Sequence, residues 1–179
     1  MVSNAELFAQ HGYVHIKNVL TASQCRGLAA SLERMVDEDK TPRDVRCPLS
    51  DAIRNAPVFT GIQDYLKSQI EQHCGIPLLP TYSYARLYRP GEELRIHRDK
   101  STCEISVTIT LGFEGTPWAI YFADDEDKYN SHEIFLDVGD AVLYRGVNKW
   151  HWREKFEGTW QAQLFLHYVE ATRRAEFFL

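Results

Sequence analysis

The chain has 179 residues, 44% of them hydrophobic, and a net charge of −5. That length fits one domain with a sizeable core, and the acidic balance without a basic block argues against broad nucleic-acid binding, which neutralises phosphates with Lys and Arg. The four cysteines, Cys25, Cys47, Cys74 and Cys103, form no CxxC pair, which disfavours a zinc site and predicts reduced thiols, some of them in the core.

The N-terminal stretch MVSNAELFAQ lacks the basic region and apolar run of a secretory signal. No apolar segment approaches the ~20 residues of a membrane span, so the expected compartment is the cytoplasm. Asn4 to Gln10 predicts a short helix with Leu7 and Phe8 as its apolar contacts. Gly12 to Val19 alternates and is β-branched, which predicts a strand. Thr21 is the expected N-cap of a helix carrying Leu28, Leu32, Met35 and Val36 at helical spacing. Asp37 to Asp51 is polar and holds Pro42 and Pro48; it predicts a loop, either rimming a pocket or lying on solvated surface. Val58 to Cys74 predicts a further amphipathic helix, stopped by Gly75 and Pro77.

From Leu79 onward the chain reads as short strands and turns. The fold class is therefore mainly β with flanking α-helices, a barrel-like antiparallel architecture. Tyr82, Tyr84, Arg86 and Tyr88 share one side of the first strand. Ile105, Val107 and Ile109 share a side of the next strong strand, opposite Ser106, Thr108 and Thr110. Further strands are expected at Trp118 to Phe122, Glu133 to Leu136, Ala141 to Tyr144, Trp150 to Arg153 and Trp160 to Val169. The domain plan is a single unit, 1–179. Within it, 1–78 supplies an N-terminal strand and supporting helices, 79–169 the β core, and 170–179 a tail. Phe177 and Phe178 of that tail are expected to dock on the body or on a second subunit of a homodimer.

The chemistry concentrates in LYRPGEELRIHRD, residues 87–99, which ends in a His-x-Asp. On a strand, residues two apart point the same way, so His97 and Asp99 can reach one ion, and His151 would arrive from another strand. Two histidines and one carboxylate on one face of Fe(II) leave its other positions open. His-x-Asp alone is a weak signal, and a lone His is more often structural. Here it sits in a longer order: Tyr88-x-Pro90-Gly91, His97-x-Asp99, Gly139-Asp140-Ala141, His151, then a last apolar strand.

That order, over about Thr81 to Val169, resembles the 2-oxoglutarate/Fe(II) dioxygenases, most closely the small prolyl-4-hydroxylase-like and phytanoyl-hydroxylase-like groups. The N-terminal run from Phe8 through Gly12-Tyr13-Val14 to Thr21 is similar to the start of the phytanoyl-hydroxylase-like enzymes. The resemblance implies a double-stranded β-helix (jelly-roll, cupin-like barrel) and a cofactor set of Fe(II), 2-oxoglutarate and O2. It also implies release of succinate and CO2 as an unactivated C–H bond is hydroxylated. Related halogenases carry a small residue in place of the Asp; Asp99 is present, so hydroxylation is favoured. Tyr88 matches the tyrosine that contributes to 2-oxoglutarate binding in the family. A Lys or Arg also stands about ten residues past the distal His in that pattern, but here those positions are Trp160, Gln161 and Ala162.

A buried carboxylate needs a cation or several donors, so other anchors must serve. Arg153 should share the face of His151, displaced by about 6–7 Å along the strand. Arg86, on the Tyr84 and Tyr88 face, is the alternative cation; Gln161 and Gln163 could add amide donors. Arg95, Arg98 and Lys100 could attract an anionic group or form a solvated rim. The expected substrate is a small molecule, an amino acid or a peptidyl side chain, with neither membrane nor nucleic acid as partner. Two alternatives stay open: a β-barrel module that binds a ligand without turnover, and a nucleic-acid base dealkylase using the same chemistry.

Overall fold

A computed structural model describes residues 2–38 and 47–172. Helix α1 (Asn4–His11) starts at a reciprocal cap in which Ser3 Oγ accepts from Glu6 N and Glu6 accepts from Ser3 N. After β1 (Tyr13–Ile16), α2 (Ala22–Glu38) starts the same way, Thr21 Oγ1 accepting from Gln24 N and Gln24 Oε1 from Thr21 N. Strand β2 (Asp51–Arg54) precedes α3 (Pro57–Cys74), which has a proline in its first turn, where no backbone donor is needed, and stops at Gly75. Eight strands follow: β3 (Leu78–Tyr88), β4 (Leu94–His97), β5 (Ile105–Glu114), β6 (Ile120–Ala123), β7 (His132–Ile134), β8 (Ala141–Arg145), β9 (Trp150–Arg153) and β10 (Trp160–Glu170).

The strands form two antiparallel sheets, a major one in the order β1-β8-β5-β10-β3-β2 and a minor one in the order β4-β9-β6-β7. From β3 onward the chain passes repeatedly from one sheet to the other, which is the double-stranded β-helix. Alternation along the major sheet separates two environments. Ile105, Val107, Ile109, Leu164, Leu166 and Leu87 face α2 and α3, where Leu28, Leu32, Phe59, Leu66 and Ile70 complete the main core. The opposite face carries Tyr82, Tyr84, Arg86 and Tyr88 of β3, which pair with His167, Phe165, Gln163 and Gln161 of β10. That face turns toward the minor sheet, and two smaller clusters join the sheets, one around Tyr88, Trp118, Phe156 and Phe165, the other around Ile120, Phe122, Val142 and Tyr144.

The Gly139-Asp140 corner ties β1 to this barrel. Gly139 adopts φ +91°, and a Cβ there would meet the Leu20 carbonyl, so only glycine fits. Asp140 is buried and accepts from Lys17 Nζ at 2.7 Å and Asn18 N at 3.0 Å, with His15 Nε2 at 2.9 Å.

Several expected boundaries shift. The expected strand over 118–122 occupies 120–123, because Trp118 turns its ring into the cluster with Tyr88 and Phe156. The expected strand over 133–136 occupies 132–134, and the 12–19 strand shrinks to Tyr13–Ile16. The N-terminal portion supplies two edge strands of the major sheet rather than one, since β2 pairs with β3. Most of the expected 37–51 loop and the tail residues Phe177 and Phe178 lie outside the described residues. All four cysteines are buried free thiols. No described helix is long and apolar enough to cross a membrane.

Candidate metal centre and cavity

Strands β4 and β9 place His97 directly opposite His151. Each ring is fixed through its Nδ1, which lies 2.7 Å from the Arg95 carbonyl for His97 and 3.0 Å from the Lys149 carbonyl for His151. A carbonyl only accepts, so both Nδ1 atoms carry the proton and each Nε2 presents its lone pair on the Asp99 side. Asp99 follows the end of β4, held by its N–H donating to the Gly146 carbonyl at 2.8 Å. Its Oδ1 lies 3.6 Å from each Nε2. Ligand bonds of about 2.0–2.2 Å put neighbouring donors of one ion about 3 Å apart. A small inward movement of the three groups would therefore close them on a cation.

Other contacts orient this triad. Ser106 Oγ donates to Asp99 Oδ2 at 2.9 Å and lies 3.0 Å from His167 Nδ1. Its single proton goes to the carboxylate, so His167 donates through Nδ1 and leaves Nε2 as an acceptor. Burial pushes His167 down to about 4, so it is neutral at pH 7. Burial alone would raise the Asp99 carboxyl, but His97, His151 and His167 outweigh it and hold it well below the usual carboxylate range. Gly146 makes room for Asp99: a Cβ there would lie 2.5 Å from Oδ2. His151 is 2% exposed and packs against Phe122 and Tyr144.

A second donor group, Asp99, Cys103 and His167, shares the carboxylate. Burial raises the Cys103 thiol, and its sulfur lies 3.1 Å from the Tyr82 hydroxyl. A protonated thiol is a poor ligand, so the group with two imidazole Nε2 donors is the stronger candidate.

The triad lines a cavity of about 410 Å³, within the usual range of small-molecule sites, about 300–1,000 Å³. Tyr84, Arg86 and Tyr88 line it as well. Tyr84 OH accepts from Arg86 Nη2 at 2.5 Å, and Arg86 Nη1 donates to the Cys47 carbonyl at 3.4 Å. Arg86 is thus already engaged.

Arg153, expected to open into the cavity, lies behind its wall. It is 2% exposed, its guanidinium sits 4.9 Å over the Trp118 ring, and Nη1 donates to the Trp118 carbonyl at 2.6 Å. Its cross-strand partner Leu94 and its electrostatic neighbours Tyr88 and Tyr144 all line the cavity. Burial lowers the guanidinium to about 10, which leaves it charged at neutral pH. Among the described residues Arg153 Nε and Nη2 have no hydrogen-bond partner, and neither has Gln161 Oε1.

Gln163, expected as an amide donor toward a cosubstrate, is instead held between two threonines. Its Nε2 donates to Thr110 Oγ1 at 2.8 Å, and its Oε1 accepts from Thr108 Oγ1 at 3.2 Å. Ser106 and Gly146 were not expected at the centre. The alternation of Ser106 with Ile105 and Val107 carried the only sequence signal for either.

Solved structures share this architecture. A prolyl-4-hydroxylase from Pseudomonas putida superposes with a TM-score of 0.73 at 20% identity, covering 93% of this chain and 96% of that one. The fold is that of the 2-oxoglutarate/Fe(II) oxygenases. The non-haem α-ketoglutarate-dependent epimerase SnoN of nogalamycin biosynthesis gives a TM-score of 0.78 at 14% identity, covering 93% and 82%. HygX from Streptomyces hygroscopicus, solved with nickel and 2-oxoglutarate bound, gives 0.73 at 13% identity, covering 92% and 85%. No family model matches the sequence, and no curated protein is significantly similar to it.

Proposed function

We propose that the protein is an Fe(II)- and 2-oxoglutarate-dependent oxygenase. It hydroxylates an unactivated C–H bond of a small molecule, an amino acid or a peptidyl side chain. The observation that carries this reading is the triad: two imidazoles with fixed tautomers and one ionised carboxylate converge on one point in a cavity. That donor set leaves positions open on an iron, as oxygenase chemistry needs.

The cosubstrate fits a second feature. Arg153 keeps a buried, charged guanidinium beside the cavity, with two nitrogens, Nε and Nη2, that have no partner among the described residues. An unpartnered buried charge is costly, and a planar fork matches a carboxylate. Arg153 therefore anchors the far carboxylate of 2-oxoglutarate, with Tyr88 assisting. Arg86, engaged by Tyr84 and the Cys47 carbonyl, is the lesser alternative.

A bound iron supplies the redox chemistry by which O2 oxidises 2-oxoglutarate to succinate and CO2 and a C–H bond to an alcohol. The chain's own residues provide placement. Ser106 fixes the Asp99 carboxylate, and the carbonyls of Arg95 and Lys149 fix the two imidazoles. Leu94, Ile120 and Phe165 form apolar wall around the reacting centre and limit water there. His167 Nε2 offers a neutral acceptor that can orient a substrate N–H or O–H.

The test is a substrate panel under Fe(II), 2-oxoglutarate and O2, reading succinate and hydroxylated product. The expected result is substrate-dependent succinate, equimolar with product and abolished by chelator. Metal and 2-oxoglutarate both bound, with no succinate for any substrate, would instead indicate a ligand-binding module without turnover.

A further inference from the structure

Strand β3 gives the cavity two unlike ends. Tyr88 and Tyr82 lie on the same strand face, six residues apart, hence about 20 Å. The Tyr88 end holds Arg86 and, behind the wall, Arg153. The Tyr82 end has cations of its own: the Arg54 guanidinium carbon lies 4.1 Å from the centroid of the Tyr82 ring and the Lys100 Nζ 5.2 Å from it. Both line the same cavity as the triad. Among the described residues neither side chain makes an ion pair or hydrogen bond with another group.

Their neighbours in sequence behave differently. Arg95 pairs with Glu93 at 3.5 Å, and Arg98 stacks on Trp150 at 4.8 Å. Those two are ordinary rim charges, whereas Arg54 and Lys100 converge on one ring from separate elements, β2 and the segment after β4. Two unneutralised cations at a cavity end repel each other and attract an anion. Beneath them, His167 packs against Tyr82 with ring centroids 4.5 Å apart, and its Nε2 adds a neutral polar contact.

We propose that Arg54 and Lys100 select a substrate bearing a carboxylate or phosphate group, bound at the Tyr82 end while the cosubstrate occupies the Tyr88 end. This substrate class rests on the oxygenase reading of the same cavity. A substrate held by its anionic group at Tyr82 extends past Asp99 toward the metal, so the oxidised carbon lies part-way along the molecule, away from that group.

The test uses protein loaded with Zn(II) and saturated with 2-oxoglutarate, so that the Tyr88 end is filled and no turnover occurs. Ligand-observed NMR titrations compare N-acetylglycine with N-acetylglycinamide and glycerol 3-phosphate with glycerol. The expected result is a dissociation constant at least tenfold lower for the anionic member of one pair, and which pair responds separates carboxylate from phosphate. Arg54→Gln and Lys100→Gln should each weaken that binding at least threefold, and the double variant should erase the preference, while 2-oxoglutarate affinity stays within twofold. Equal binding of charged and neutral members, no binding in either pair, or a preference that survives the double variant would overturn the proposal. If 2-oxoglutarate itself fails to bind the wild-type protein, the oxygenase reading fails, and the same pairs titrated without it still decide whether the Tyr82 end takes anions.

Discussion

The two sheets divide the labour. In the major sheet β3 and β10 run for 11 residues each, and one face of the sheet is sealed by α2 and α3. In the minor sheet no strand exceeds four residues, yet β4 and β9 carry both histidines in register. Burial of the major sheet provides the folding free energy. The minor sheet holds its ligands by local hydrogen bonds from ring nitrogens to carbonyls. Substitutions in the two regions should therefore fail in different ways.

The largest effect is expected in the minor sheet. His97→Ala or His151→Ala removes a ligand outright, and loss of outer contacts alone commonly costs 10–100-fold in metal affinity. Each variant should weaken Fe(II) binding at least ~100-fold with its melting temperature nearly unchanged. Anaerobic metal titration beside calorimetry checks both halves; a variant that unfolds would place the histidines in the scaffold.

The converse holds in the major sheet. Leu164 of β10 is fully buried toward the helices, so Leu164→Ala should cost about 2–5 kcal/mol in stability. Its folded fraction should bind Fe(II) like the wild type. A specific loss of metal affinity in a stable Leu164→Ala protein would break the division.

The smallest effect sharpens the junction of β1 with the barrel. Burial alone would raise the Asp140 carboxyl, but its bonds from Lys17, the Asn18 N–H and His15 outweigh that and lower it. A depressed folded value stabilises above the unfolded value of about 3.9, and the contribution disappears as pH falls through the folded value. Asp140→Asn should therefore cost about 1–2 kcal/mol at pH 7, and the gap to wild type should close at an acidic pH beneath the lowered folded value. Denaturant titrations at both pH values measure it; a gap independent of pH would assign the effect to packing.

Much of this division was legible in the sequence. Period-two alternation at 82–88 and 105–110 separated the helix-facing side from the cavity side, because side chains on a pleated strand point alternately. The His-x-Asp and the distal His pointed to a shared ion because their facing is local. What was missed depends on partners brought by folding. β2 is four mixed residues, Asp51 to Arg54, and is a strand because β3 offers it an open edge. Arg54 went unnoticed for the same reason. Gly146 looks ordinary until Asp99 arrives against it. Facing alone placed Arg153 on the His151 side, but Trp118 closes over it, and only the packed chain shows that.

The central claim is that a metal on the triad and Arg153 together hold 2-oxoglutarate. The direct measurement is an anaerobic calorimetric titration of 2-oxoglutarate into wild-type, Arg153→Met and Arg86→Met protein, with and without Fe(II). The account predicts one-to-one binding that requires a metal ion on the triad. It also predicts a dissociation constant at least ~10-fold higher in Arg153→Met, a smaller change in Arg86→Met, and unchanged Fe(II) affinity in both. Binding that ignores the metal, or an Arg153→Met protein with wild-type affinity for 2-oxoglutarate, would contradict it.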